Sequence, residues 1–196
     1  HRDLHSFPTR RSSDLRLLLS VGVSTYQDVN VGNLKYCHLD AEKIAKTFKE
    51  DGVPENQIIL LTNENATKEK ILSSIEEIKA KAEEESKFIF FISGHGTPDP
   101  EDVKIHYFIT HDTLENNKET ALQMNKVKEM ICEMKVKEAV LFVDTCHSGG
   151  AKNLSSDTAT DESMKEVVKT KRNDIKLAVI ASSRTYEKSK ELDDSK

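Results

Sequence analysis

Ala139-Val140-Leu141-Phe142-Val143 is an unbroken apolar run that ends against Asp144-Thr145-Cys146-His147-Ser148-Gly149-Gly150. Rich in β-branched and aromatic residues and closed by a charge and a glycine pair, it reads as a buried strand with polar groups at its tip. The thiol of Cys146 sits at that tip. An earlier stretch has the same form, since Phe88-Ile89-Phe90-Phe91-Ile92 runs into Ser93-Gly94-His95-Gly96. Strands without polar alternation must be covered on both faces, which confines the chain to a sheet layered with helices. Two such strands then present a histidine and a thiol at their ends.

The rest of the chain alternates strand and helix signals. Residues 17–23 form the first apolar run, followed by a polar loop over 24–37. Asp40 then precedes an amphipathic stretch carrying Ile44, Ala45 and Phe48, closed by Asp51-Gly52 and Pro54. A second strand spans 57–61, and Thr67 is placed to cap a helix carrying Ile71, Leu72, Ile75, Ile78 and Ala82. After the strand at 88–92 comes a Pro-containing loop over 97–102 and a short extra strand at 105–110, suited to a hairpin. Leu122, Val127, Ile131 and Met134 mark a third helix, leading into the strand at 139–143. A polar loop over 152–163, a helical piece over 163–171 and a last strand at 177–181 follow. Such alternation implies right-handed crossovers and a mainly parallel sheet of about five or six strands with helices on both faces. Ligands of such sheets sit at the carboxyl ends of the strands, where His95 and Cys146 lie.

With 196 residues the chain supports one domain with a substantial core. We divide it into a foreign or disordered leader over 1–14, a folded domain over 15–184 and a polar tail over 185–196. Its apolar runs fall far short of the roughly 20 residues that cross a bilayer, so no membrane partner is expected. A net charge of −5 with interspersed signs offers no basic face to nucleic acid. Three cysteines at 37, 132 and 146 form no disulfide framework and point to a reducing, cytoplasmic setting. Cys37 and Cys132 lie in patterned segments and read as small core fillers. Cys37-His38 and Cys146-His147 are adjacent pairs that chelate zinc poorly, and no metal site is read from them.

A thiol of ordinary pKa, about 8.5, is only a few per cent thiolate at neutral pH, so a nucleophilic cysteine needs a base or a positive charge beside it. On an adjacent strand, His95 is within reach to be that base. His147 is the alternative, but the residue after a nucleophile points away on extended backbone. His106 and His111 read as surface or hairpin positions. Gly94, Gly96, Gly149 and Gly150 let backbone amides approach a substrate, as an oxyanion hole requires; the Gly96 and Cys146 amides are the candidates. Residues two apart on a strand share a face, so Ser93 accompanies His95 and Asp144 accompanies Cys146. A carboxylate beside a thiolate raises the thiol pKa and weakens the nucleophile. Asp144 makes sense if it faces a pocket and pairs with a cationic substrate group such as Arg or Lys.

Ser93-Gly94-His95-Gly96 together with Asp144-Thr145-Cys146-His147-Ser148-Gly149 resembles the two signature segments of caspase-like cysteine peptidases, specifically of the metacaspase branch. The resemblance covers nearly all of 16–183. The animal caspase pattern, Gln-Ala-Cys with a His about 50 residues upstream, is not matched; Asp144 stands where that Gln would be. The resemblance implies an α/β, caspase-like three-layer sandwich in which His95 is general base and Cys146 nucleophile. It also implies a substrate pocket for a basic P1 residue built from Asp40, Ser93 and Asp144, and polypeptide cleavage after Arg or Lys. Asp40 suits an N-cap equally well.

Many members of the branch need calcium. The chain offers only scattered acids, Asp99, Glu101, Asp102, Asp112, Asp157 and Asp161, so calcium enters as an expected activator and the chemistry itself needs no cofactor. Lys152, Lys165, Lys169, Lys171 and Arg172 are expected points of self-cleavage. Caspase-like domains continue beyond the strand at 177–181 with a helix and an edge strand, whereas this sequence turns charged, so a domain truncated at its C-terminus, and once fused to repeats or other domains, is expected. A reading from another class is a non-catalytic interaction or regulatory module that keeps the fold; the intact His95 and Cys146 pair counts against it.

Overall fold

The computed structural model describes residues 15–102, 104–147 and 176–181, with Cys146 and His147 described by their backbone. The expected leader, the polar loop and helical piece between 152 and 171, the self-cleavage candidates, Gly149, Gly150 and the tail lie outside the described residues. The elements in order are β1 (Arg16–Gly22), α1 (Cys37–Glu50), β2 (Ile58–Thr62), α2 (Lys68–Lys81), β3 (Lys87–Pro98), β4 (His106–Phe108), β5 (Leu122–Gln123), α3 (Met124–Cys132), β6 (Glu138–His147) and β7 (Lys176–Ala181). Among the described residues they make one seven-stranded sheet, with β2, β1, β3, β6 and β7 side by side and parallel. The short β4 and β5 join antiparallel at the far end of β3.

Strand pleat assigns the two faces. Leu17, Leu19 and Val21 of β1 and Phe88, Phe90 and Ile92 of β3 share a core with Ile71, Ile75 and Ile78 of α2 and Val127 and Ile131 of α3. The alternate positions look toward α1, whose buried residues are Cys37, Ala41 and Ala45. There the polar Ser20 of β1 is satisfied by donating to the Ala41 carbonyl at 2.8 Å. Each fully buried Leu, Ile or Phe contributes roughly 1.5–3 kcal/mol, so the helices on the two faces are held mainly by this burial.

Four expectations change. Asp40 does not cap α1, because the helix starts earlier, with Tyr36 at the cap position, and Asp40 falls in its first turn, exposed. Ser24, just past β1, takes the capping part instead, its Oγ accepting the His38 amide at 3.1 Å. Leu122 belongs to a two-residue strand rather than to the third helix, which ends at Cys132 before Met134. The strands do not stop at their polar tips either: β3 runs on through His95 to Pro98, and β6 through Cys146 to His147. Seven strands replace five or six because β5 is too short to show a period. Thr67 does cap α2, accepting the Lys70 amide at 3.3 Å. Among the described residues no helix is long and apolar enough to cross a membrane.

Candidate active site

Parallel pairing of β3 with β6 sets Ser93 opposite Asp144, Gly94 opposite Thr145, His95 opposite Cys146 and Gly96 opposite His147. Neighbouring strands lie about 4.8 Å apart, so each pair is a true lateral contact of the backbones. On its other edge β3 changes partner at the same place. Pairing with β1 ends at Ser93, and pairing with β4 begins at Gly96. Gly94 and His95 occupy the interval, at the carboxyl end of the parallel strands, the end where ligands bind in open α/β folds.

The loop from Ser24 to Tyr36 covers that interval. His95 is buried, at 5 % exposure. Its Nε2 donates to the Gly32 carbonyl at 2.8 Å, and its ring stacks on Tyr26 with centroids 5.2 Å apart and planes 23° apart. Because a carbonyl only accepts, the proton sits on Nε2, and Nδ1 is the basic nitrogen of the neutral ring. The first part of the loop is anchored in turn. Asn63, in the left-handed region at φ 45°, accepts the Ser24 and Thr25 amides at 2.9 and 3.2 Å through its Oδ1. Asp28 accepts the Glu115 and Asn30 amides, each at 2.9 Å, and these two bonds, Glu115 first, hold its carboxyl below the usual range. From outside, His111 Nδ1 donates to the Thr25 carbonyl at 2.7 Å.

Sequence reasoning missed Tyr26 and Gly32, passing over 24–37 as a polar loop. The available signal was an aromatic placed three residues beyond a buried strand in an otherwise polar stretch. The same reasoning gave the site glycines a role toward substrate, whereas packing already demands them. A Cβ on Gly94 would lie 2.8 Å from Phe108 Cζ, and one on Gly96 would lie 2.7 Å from His106 Nε2 and 2.9 Å from Thr145 Cβ. His106 is in the expected hairpin but fully buried rather than at the surface.

Ser93 is buried and its Oγ donates to Asp144 Oδ2 at 3.3 Å. Asp144 itself is half-buried. Asp40 sits in the first turn of α1, the helix that packs on β1, β2 and β3 over the face shared by Ser93 and His95. A groove of about 780 Å³ between α2 and α3 contains none of these residues.

The described acids do not fit a calcium site. Asp99 is buried against Lys118 Nζ at 3.1 Å and accepts the Glu101 and Asp102 amides at 2.8 and 3.0 Å. Asp112 accepts the Lys68 amide and the Thr110 hydroxyl. Among the described residues no three His, Cys, Asp or Glu side chains converge as metal ligands.

A mainly parallel α/β sheet with helices on both faces, and a His and a Cys in register on adjacent strands, is the layout of a caspase-type domain. The model of the caspase domain family matches residues 15–194, and the chain belongs to that family. Among solved structures it is similar to the crystal structure of protein GSU0716 from Geobacter sulfurreducens, at 22 % identity and a TM-score of 0.56 over 68 % of this chain, a likeness of fold. The chain spans about half, 51 %, of the length of that structure. No curated protein matches it.

Proposed function

We propose that the domain is a cysteine endopeptidase of metacaspase type, cutting polypeptides after Arg or Lys. What supports this reading above all is the pairing of His95 with Cys146 in a caspase-family sheet, with the His95 Nε2 proton committed to Gly32. With Nε2 engaged, Nδ1 takes the proton of the Cys146 thiol as the sulfur attacks the carbonyl carbon of the substrate peptide. The oxyanion is held by the Gly96 and Cys146 amides. The imidazolium, steadied through Gly32, returns its proton to the leaving amine. Water then attacks the thioester, with Nδ1 again taking the proton, and releases the acid and the thiol.

Asp144, steadied by the Ser93 hydroxyl, supplies the carboxylate for the basic P1 residue, with Asp40 on the neighbouring helix as a second acid. Calcium, expected as an activator, enters no step. The setting is cytoplasmic, where a reactive thiol stays reduced, and the domain acts within a longer protein.

The test uses reporter peptides ending in Arg, Lys or Asp, with wild type, Cys146→Ala and His95→Ala, each with and without added calcium. Both substitutions are expected to lower kcat/KM on the Arg and Lys peptides at least about 10³-fold. Equal background from all three proteins on every peptide would sink the peptidase reading in favour of an interaction module. Cleavage confined to the Asp peptide would keep the peptidase and remove the acidic pocket.

A further inference from the structure

Beside His95 an inserted side chain takes the place of one backbone rung between β1 and β3. In a parallel ladder, a residue that donates to one partner accepts from the residue two further along the same strand. Val23 donates its amide to the Ser93 carbonyl at 2.9 Å, so the next rung should run from the His95 amide to the Val23 carbonyl. Both groups are bonded to Tyr26 instead. The His95 amide donates to Tyr26 Oη at 3.1 Å, and Tyr26 Oη donates to the Val23 carbonyl at 3.1 Å. One hydroxyl thus stands where a direct backbone bond belongs, accepting with one lone pair and donating its proton. The backbone groups stay satisfied while β1 and β3 part.

The same residue controls the ring. Tyr26 is buried, at 8 % exposure, and its aromatic face lies against the imidazole. With Gly32 on the Nε2 edge, the ring is held in plane by Tyr26 and in rotation by the carbonyl. Gly94 leaves room for this arrangement, since a Cβ there would come within 3.3 Å of the Tyr26 hydroxyl as well as striking Phe108.

We infer that Tyr26 is a positioning residue for the general base: its hydroxyl replaces the next backbone rung between β1 and β3, and its ring sets the plane in which His95 presents Nδ1. This rests on the reading of His95 as the base of a peptidase. It assigns the two halves of one side chain to separable tasks, the hydroxyl to the backbone of His95 and the ring to its imidazole.

Two variants divide them, Tyr26→Phe keeping the ring and Tyr26→Leu removing both. On an Arg reporter peptide, kcat is expected to fall about 10-fold in the first and about 100-fold in the second, the scale of a 1 Å misplacement, with KM within roughly 3-fold of wild type in both. Nitrogen-15 NMR of the imidazoles, with His95 assigned by comparison with His95→Ala, reads positioning without activity. Wild type is expected to show the Nε2–H tautomer alone above the His95 titration, and Tyr26→Leu a mixture of tautomers with a displaced midpoint. Unchanged kcat and an unchanged His95 spectrum in both variants, or a kcat loss matched by an equal loss of folded protein in thermal melts, would overturn the inference. If wild type cleaves no peptide, the peptidase reading fails by itself. The His95 spectra then decide the positioning claim alone: displacement in Tyr26→Leu upholds it, and identity to wild type ends it.

Discussion

Up to Ile92, β3 is flanked on both edges by parallel neighbours, and Phe88, Phe90 and Ile92 disappear into the layer of α2 and α3. From Ser93 on, the same strand carries a serine, a histidine and two glycines; it loses β1 after Ser93 and takes β4 as an antiparallel neighbour from Gly96. Both halves keep β6 throughout, in one register from Lys87 to Gly96. The difference shows a division of labour along one strand: the first half provides the burial that locks the register, and the second half uses that register to set His95 opposite Cys146. Under the proposed function, energy and function are therefore separable along a single strand.

The sharpest way to break this comparison is to damage the first half and read the second. Phe90→Ala leaves a cavity in the core and is expected to cost about 3–5 kcal/mol in urea denaturation, while peptide cleavage per folded molecule stays at the wild-type level. A large loss of specific activity at full folding would show that the halves are not separable. Gly94→Ala attacks the boundary. The added methyl meets the Phe108 ring at 2.8 Å, so about 1–3 kcal/mol of overpacking is expected, together with reduced turnover because Phe108 must move beside His95.

Within the second half, Asp144→Asn keeps a group able to accept from Ser93 and removes the charge. KM for Arg and Lys peptides should rise roughly 10-fold, the weight of one charge-assisted bond, with the unfolding midpoint unchanged; an unaltered peptide profile would take Asp144 out of the pocket.

The smallest effect lies beyond the end of β3. At Asp99 burial pushes the carboxyl upward, but the Glu101 and Asp102 amides, Lys118 and the Tyr107 hydroxyl outweigh it and hold the pKa below its ordinary value. A carboxyl lowered in the folded state stabilises fully above the unfolded pKa of about 4 and loses that stabilisation as pH falls through the folded value. Asp99→Asn should therefore flatten the loss of melting temperature below about pH 4. An acid limb identical to that of wild type would show that Asp99 contributes nothing there.

Much of this was legible in the chain. The apolar runs of β1, β3 and β6, the cap at Thr67 and the facing isoleucines of α2 are local signals, written in residue type and period. So was the pairing of Ser93 with Asp144 and of His95 with Cys146, since two runs with the same polar termination fall into step when aligned by their apolar parts. The helix start at Cys37 was not legible, because Ser24 supplies the cap from 14 residues away. Neither was the continuation of β3 past Gly96, which depends on β4 replacing β1 at its edge.

By itself, then, the sequence determined the layered α/β sheet and which residues could meet on it, because burial and pleat act over a few neighbours at a time. Only the tertiary structure decided how His95 is held. The Gly32 carbonyl and the Tyr26 hydroxyl lie 63 and 69 residues from it along the chain. A backbone carbonyl has no letter in the sequence, and an inserted hydroxyl shows only as the absence of a rung that the parallel ladder would otherwise contain.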